Sequence, residues 1–125
     1  MRVCKDCEKE KPLEDFASAG KVKGVQYRRR RCKPCYYKFK LIRKAKIRAW
    51  YFEFRKTLEC LECGNNNHRV LEHHHPNDDK LRCISDMVRM GLSIKRIKRE
   101  LAKCVCLCAN CHRILTYEDW YQDLQ

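Results

Sequence analysis

Four Cys-x-x-Cys pairs are spread along this chain, and they constrain its fold more than any other feature. They read CKDC, CKPC, CLEC and CANC, and they begin at Cys4, Cys32, Cys60 and Cys108. Two thiolates at this spacing form a knuckle on one side of a tetrahedral zinc ion, and a second knuckle completes the coordination shell. The pattern therefore predicts a chain that folds around two structural Zn²⁺ ions.

Such cross-links matter because the chain is short and polar. Of its 125 residues, 36% are charged, and its mean hydropathy is −0.74, so a large dry core is not expected. The N-terminal stretch MRVCKDCEKE lacks the apolar segment of a secretory signal, and no apolar run approaches a membrane span. We therefore expect an intracellular, cytoplasmic protein with no membrane partner, whose paired cysteines bind metal. The same features argue against a disulfide-rich secreted domain.

The first two knuckles enclose an N-terminal module that we assign to residues 1–35. The segment between them combines the turn-rich EKPLEDFASAGKVKG with the basic run VQYRRRRC, and it has little apolar surface. Zinc binding would supply the folding energy that this segment lacks. The expected ligands of the first zinc ion are Cys4, Cys7, Cys32 and Cys35.

Positive charge is concentrated in the middle of the chain. The net charge is +13, and residues 21–56 hold 15 of the 29 Lys and Arg but a single acid, Glu53. This clustering favours a polyanionic partner, and nucleic acid is the usual one because neutralised phosphates release counterions. A solvated basic surface that only maintains solubility is the alternative. The residues expected to contact DNA are Arg28, Arg29, Arg30, Arg31, Lys38, Lys40, Arg43, Lys44, Lys46 and Arg48.

Residues 36–58 contain no Gly or Pro and many helix-forming residues, which predicts one basic helix between two modules. The periodicity of its apolar residues is loose. The helix would lie along a phosphate backbone or in a groove, or it would pack on the second module as a connector, and the two arrangements are compatible.

The second module is assigned to residues 59–125, and its pattern predicts a small α+β fold stabilised by zinc. A short strand is expected at HRVLEHH, a turn at PNDDK and a second strand at CVCLC. Helices are expected at ISDMVRM, ending at Gly91, at SIKRIKREL with Ser93 as N-cap, and at ANCHRILTYEDWYQDL.

The last two knuckles predict a second zinc site that joins the start of this module to its closing helix. The expected ligands are Cys60, Cys63, Cys108 and Cys111. Cys106 is an alternative to Cys108, because alternate residues of a strand share a face. Cys83, Cys104 and Cys106 are otherwise expected to be small buried side chains. A closed Cys4 site is structural and has no open position for a substrate.

Any reactive metal must therefore bind elsewhere, and the histidines are the available donors. The stretch LEHHHPNDDK contains Glu72, His73, His74 and His75 in a row, and His112 directly follows a cysteine of the second zinc site. That zinc ion would bring His112 towards the strand that carries the histidine triplet. A divalent ion beside a histidine that activates water is what a metal-dependent phosphodiesterase requires.

The motifs CLEC, LEHHHPNDDK, ISDM, IKREL and CLCANCHR, taken in this order, resemble the zinc-containing HNH endonucleases of the ββα-metal class. Residues 60–113 cover the resemblance, and LCANCHR (Leu107–Arg113) is its most specific piece. The N-terminal module resembles a small zinc ribbon found on nucleases of phages and mobile elements. The resemblance implies a homing-type or phage-type enzyme, acting in a phage-infected or host bacterial cell. It also implies hydrolysis of DNA, by nicking or double-strand cutting, with a single Mg²⁺, Mn²⁺ or similar ion.

The resemblance also implies roles for individual residues. It makes His75 the general base, His74 and His112 the ligands of the catalytic ion, and the four cysteines of the second pair of knuckles the zinc ligands. In a second alignment, which fits an acid-His-x-x-Pro motif through Pro76, Glu72 is the ligand and His73 is the base. His73 otherwise occupies a position where the family usually has an aromatic residue.

Two further points follow from this comparison. The middle Asn of the HNH triad is expected where this chain has Lys103, and Asn110 is the candidate substitute. Adjacent strand residues point to opposite faces, so the preferred alignment also requires the strand to end or bend at His74–Pro76.

A function from another class remains open on the sequence alone. A zinc-dependent DNA-binding protein without catalysis, such as a regulator or a packaging accessory, would keep both Cys4 sites and the basic helix. It would have no use for His75 or His112.

Overall fold

The computed structural model describes residues 1–124 and has a small α+β fold. The chain divides into two compact units, Met1–Arg43 and Lys44–Gln125. The strands are β1 (Arg2–Val3), β2 (Glu10–Lys11), β3 (Phe16–Val22), β4 (Val25–Cys32), β5 (Leu71–His74) and β6 (Val105–Cys108). The α-helices are α1 (Lys33–Arg55), α2 (Ile84–Met90), α3 (Ile94–Leu101) and α4 (Ala109–Tyr121). Short 3₁₀ helices lie at Leu13–Asp15, His68–Val70 and Gln122–Leu124.

The N-terminal unit is built from two antiparallel strand pairs, β1 with β2 and β3 with β4. The second pair is a hairpin whose two-residue turn is Lys23 and Gly24, with φ values of 50° and 80°. Positive φ at both central residues is the requirement of a type I′ turn, which matches the twist of the flanking strands. Phe16, Cys4 and Cys32 form a very small buried core. The hydrophobic core of this unit is therefore small, and several of its apolar side chains, such as Val22, Val25 and Tyr27, are exposed.

Helix α1 begins at Lys33 and ends at Arg55, three residues earlier at each end than the sequence pattern indicated. It begins within the CKPC knuckle because Pro34 is tolerated in the first turn, where its missing N–H has no intrahelical partner. It ends in tighter turns, in which the N–H groups of Thr57 and Leu58 bond the carbonyls of residues three positions earlier. The division between the two units falls inside this helix.

The second half of α1 packs on the core of the second unit. Ile47 is buried with Ile84, Met87, Val88 and Ile97, while the half-buried Trp50 and Tyr51 lie against the same cluster. The second half of this segment therefore packs on the second unit, which is one of the two arrangements that the sequence left open. Among its basic residues, Lys46 and Arg48 remain exposed.

Strands β5 and β6 pair antiparallel, with Leu71 opposite Cys108 and His74 opposite Val105. The strand expected at HRVLEHH begins only at Leu71, because residues 68–70 form a 3₁₀ turn. Asn67 causes this start, since its side-chain oxygen accepts the N–H of Arg69 at 3.2 Å. Strand β5 ends at His74, as the preferred alignment of the histidine motif requires.

The two central helices lie where the sequence predicts them. Oγ of Ser93 accepts the N–H of Arg96 at 3.2 Å and caps α3. Gly91 ends α2 with a φ of 73°, and a Cβ at this position would lie 2.7 Å from Cγ of Lys44. Within residues 1–124, no helix has the length and apolar character needed to cross a bilayer.

Candidate metal centres and catalytic cleft

The first cysteine cluster closes the N-terminal unit. Its four Sγ atoms lie within 4.8 Å of one another, and its members are Cys4, Cys7, Cys32 and Cys35. The hairpin delivers Cys32, whose backbone N–H donates to Sγ of Cys4 at 3.3 Å. Nζ of Lys11 donates to Sγ of Cys32 at 3.4 Å and brings a positive charge beside the thiols.

Hydrogen bonding makes the ionisation of these thiols uneven. The bond from the Cys32 N–H lowers the pKa of Cys4 to about 6. The side-chain bond with Cys32 raises the pKa of Cys35 to about 12. A bound divalent cation would remove this difference in pKa between the thiols, because it favours the thiolate form of every ligand. Four soft sulfur donors within mutual reach are the ligand set of structural zinc, and the cluster fits that ion.

The second cysteine cluster joins the start of the second unit to its last helix. Its Sγ atoms also lie within 4.8 Å of one another, and its members are Cys60, Cys63, Cys108 and Cys111. Sγ of Cys108 accepts the N–H of Cys111 at 3.4 Å, which ties the first turn of α4 to the cluster. Burial opposes ionisation of Cys60, yet backbone bonds from Cys108, Cys63 and Glu62 lower its pKa to about 6. This ligand set likewise fits structural zinc.

The remaining cysteines lie outside both clusters. Cys106 faces His73 across the β5–β6 pair, so the choice of Cys108 as the cluster residue is confirmed. Cys104 and Cys106 are partly buried, and burial raises the pKa of each. The expectation of burial is wrong for Cys83, which is exposed. Cys83 is the N-cap residue of α2 and lines the cleft described below.

His74 and His112 meet although they lie 38 positions apart in the chain. Their rings are in edge-to-face contact, with centroids 5.0 Å apart. Nδ1 of His112 lies 3.5 Å from Oε1 of Glu72, which shares a face of β5 with His74. Burial, followed by the neighbouring His112, lowers the pKa of His74. His74 is therefore neutral near pH 7, which is the form that binds metal.

These three side chains converge without forming a closed site. Among residues 1–124, the groups of three or more donor atoms within 4.8 Å of one another are the two Cys4 clusters. Glu72, His74 and His112 are thus loosely arranged, and water would have to complete the shell of an ion held by them.

His75 lies on the other side of the strand end, and its position is fixed by a buried carboxylate. Its side chain is 8% exposed, and Nε2 lies 3.3 Å from Oε2 of Glu100. Sγ of Cys104 is also 3.3 Å from Nε2. The carboxylate can only accept, so we assign the proton of His75 to Nε2, which leaves the lone pair of Nδ1 free.

Glu100 is only 2% exposed and has a partner for each oxygen. Oε1 accepts from Nζ of Lys103 at 2.9 Å, and Oε2 accepts the N–H of Leu81 at 3.0 Å. Burial favours the neutral acid, but the Lys103 and Leu81 bonds outweigh it and lower the pKa of Glu100 to about 2. Glu100 is therefore a carboxylate at neutral pH. It links α3 to both His75 and the loop before α2.

His73 occupies a different environment from its two neighbours. Nε2 lies 2.8 Å from the hydroxyl of Tyr51, and the two rings are in tilted contact. Burial, followed by the positive charge of Arg55, lowers the pKa of His73 to about 4. The side chain is thus a neutral ring packed against Tyr51.

A cleft of about 380 Å³ lies beside the end of β5, and of the three consecutive histidines it is lined by His73 and His75 but not by His74. Its lining includes Glu72, His73, His75, Lys80 and His112. A larger hollow of about 510 Å³ runs along α1 between Ala45 and Arg55, but no histidine or cysteine lines it. The candidate site is therefore this smaller cleft together with His74, whose ring contacts that of His112 at its edge.

Sequence reasoning missed Glu100, although a signal for it was present. Glu100 lies three residues after Ile97 on the apolar stripe of α3, where a carboxylate is costly unless it is paired. Lys103, at the expected position of the triad Asn, binds Glu100 and the carbonyl of Asp79. Asn110 is exposed in the first turn of α4.

Some of the basic residues expected to contact DNA are bound to other groups of the protein, and the rest are mostly exposed. In the N-terminal unit, Arg31 pairs with Asp6 at 2.7 Å, Arg29 stacks on the Tyr36 ring, and Arg28 donates to the Phe16 carbonyl. Lys44 is partly buried and covers Gly91. The remaining members of the set are exposed, and they are Arg30, Lys38, Lys40, Arg43, Lys46 and Arg48.

No protein-family model, curated protein or solved structure matches this chain.

Proposed function

We propose that this chain is a metal-dependent endonuclease of the HNH type that hydrolyses DNA phosphodiester bonds by nicking or double-strand cutting. The observation that carries the proposal is the contact of His74 with His112, whose ring centroids are 5.0 Å apart. Two imidazoles from separate elements, beside the carboxylate of Glu72, are donors suited to a catalytic divalent ion.

His74 and His112 would hold Mg²⁺, Mn²⁺ or a similar ion. Such an ion polarises the scissile phosphate and stabilises the leaving oxygen. The neutral state of His74 favours this role, since a protonated imidazole does not bind metal. Two further ions, both Zn²⁺, would occupy the Cys4 clusters, and the one bound by Cys60, Cys63, Cys108 and Cys111 would hold the start of the helix that carries His112.

His75 is the proposed general base, acting through Nδ1. Glu100 holds the proton on Nε2 and fixes the ring, so that the free lone pair of Nδ1 is available to accept a proton from water. His73, the base in the second alignment, fits less well because a pKa of about 4 makes it a weak base at neutral pH. These contacts favour the alignment in which His74 is the ligand and His75 the base.

Binding of DNA is supported by charge. The chain carries a net charge of +13, and most of the basic residues assigned to DNA contact are exposed. Contacts of this kind go to phosphates and set the position of the duplex without selecting a sequence.

The test is cleavage of supercoiled plasmid with Mg²⁺ or Mn²⁺. We expect the natural chain to cleave, and His75→Ala and His112→Ala to lose at least about a hundredfold in rate. His68→Ala is the matched control, because His68 contacts Phe52 and lies outside the cleft. Cleavage that survives EDTA, or that survives both His75→Ala and His73→Ala, would refute the assignment.

A zinc-dependent DNA-binding protein without catalysis is the second candidate. The burial of His75 and the lack of a closed three-ligand histidine site within residues 1–124 favour it. It predicts tight DNA binding with no metal-dependent cleavage, and equal binding by the His75→Ala and natural chains.

A further inference from the structure

The β3–β4 hairpin presents an apolar strip to solvent. Gly20 pairs with Tyr27, Lys21 with Gln26, and Val22 with Val25. Successive pairs alternate between faces, so Val22, Val25 and Tyr27 share one face with Gly20. These three side chains are 58%, 55% and 51% exposed, respectively. We call them the hairpin strip.

The surroundings of the strip are basic and open. Phe16–Cys32 carries six Lys and Arg and no acid. Gly20 lies opposite Tyr27, and a Cβ built on Gly20 would meet nothing within 4 Å, so the space beside the Tyr27 ring is unoccupied. Nothing in the N-terminal unit covers the strip, although exposed β-branched and aromatic side chains together are costly in water.

The opposite face holds the hairpin in a fixed shape. Nε2 of Gln26 donates to Oγ of Ser18 at 2.7 Å and to the carbonyl of Tyr27 at 2.8 Å. These bonds cross the irregular part of the β3–β4 pairing, and the type I′ turn closes the end. A surface already held in shape loses little conformational entropy on binding.

We infer that the hairpin strip binds unpaired DNA bases, with Tyr27 as a stacking platform and the neighbouring Lys and Arg on the phosphates. The inference rests on the proposed function for DNA as the partner, and it specifies the form of that DNA. In a regular duplex the faces of the bases are covered by their neighbours, whereas unpaired bases present apolar faces next to a charged backbone. The hairpin combines a strip of apolar side chains with charged residues that are all basic. It therefore complements the apolar base faces and the negative backbone of unpaired DNA.

The experiment compares two DNA probes bound to the 125-residue, zinc-loaded chain without added Mg²⁺ or Mn²⁺. One probe is a fluorescein-labelled duplex, and the other is the same duplex with a short loop of unpaired thymidines. Anisotropy gives Kd for each probe, and a gel checks that both stay intact. The variants are Tyr27→Thr, Tyr27→Phe and the double change Val22→Thr with Val25→Thr. Val3→Thr is the matched control, because Val3 is 57% exposed on β1, outside the strip.

We expect the natural chain to prefer the looped probe. Tyr27→Thr should weaken binding of that probe about tenfold and leave duplex binding unchanged, because base–aromatic stacking is lost. Tyr27→Phe should restore the preference, and the dependence of log Kd on log salt should keep its slope. The double Val variant should also reduce the preference, whereas Val3→Thr should not.

Equal affinity of the natural chain for the two probes would overturn the inference, as would a Tyr27→Thr protein that behaves like Val3→Thr. Loss of a concentration-dependent dimer in the double Val variant, with both probes still bound as before, would assign the strip to self-association and overturn it as well. The plasmid assay separates this result from the proposed function, because cleavage depends on His75 and His112 and not on Tyr27.

Discussion

Oε2 of Glu100 lies 3.3 Å from Nε2 of His75, and neither side chain is more than 8% exposed. The pair spans two elements, since Glu100 belongs to α3 and His75 follows the end of β5. Glu100 is the only buried charged side chain among residues 1–124. A buried carboxylate is retained at a cost in desolvation, and its bonds to His75, Leu81 and Lys103 offset that cost.

The first prediction concerns this pair. Glu100→Gln should lower kcat for plasmid cleavage by about tenfold or more with little change in KM, because the proton on Nε2 of His75 is no longer held by a carboxylate. Two-dimensional ¹⁵N spectra of the imidazoles should show the tautomer of His75 shifting in the same variant. A fall in kcat without any change in the His75 signal would contradict the positioning role.

Removing the carboxylate altogether is expected to affect folding as well. Glu100→Ala should lower the free energy of unfolding by about 3 kcal/mol, because it leaves the Leu81 N–H and Lys103 without their shared partner. Urea denaturation with zinc present measures this. Glu118→Ala, a change at an exposed glutamate of α4, is the control and should stay within about 0.5 kcal/mol of the natural chain.

The pH dependence of stability should identify His73 as a buried neutral ring. Its pKa of about 4 in the fold lies below the usual 6.5, so the unfolded chain binds more protons between these two values. The contribution of His73 to the free energy of unfolding is therefore fully present above about pH 6.5, and it is lost as the pH falls towards 4. His73→Phe should lose less stability than the natural chain over this window, in urea titrations with excess zinc. Parallel curves for the two proteins would contradict the burial of a neutral His73.

Metal content gives a direct test of both cysteine clusters. The natural chain should bind about two zinc ions, and Cys4→Ser or Cys60→Ser should each reduce the value to about one. Cys83→Ser is the control, since Cys83 is exposed and outside both clusters, and it should keep both ions. Elemental analysis of protein purified without chelator measures this. A value near zero for the natural chain would refute both sites.

Some features could be predicted from the sequence because they depend on local spacing. The two-residue gap of each Cys-x-x-Cys pair restricts which thiols can meet, and it indicated both clusters correctly. For the same reason, Gly91 indicated the end of α2 and Ser93 indicated the start of α3. The 3₁₀ turn at residues 68–70 was missed because the cap of Asn67 outweighs the strand tendency of the following residues.

Other features depend on contacts between distant segments. The three consecutive histidines differ only through the partners that the fold brings to them, which are Tyr51 for His73, His112 for His74 and Glu100 for His75. Their spacing contains no information about those partners. The roles of His74 and His75 as ligand and base therefore stay predictions until cleavage is measured.

The position of His112 has a consequence for how such an enzyme would be controlled. Cys111 belongs to the second cysteine cluster, and His112 is the next residue in the same helical turn. If the cluster loses its zinc ion, or if its thiols are oxidised, the start of α4 loses its anchor and His112 moves away from His74. On the proposed function, a newly synthesised chain that has not yet bound zinc would not cleave DNA. Metal supply and redox state would then control the proposed nuclease activity.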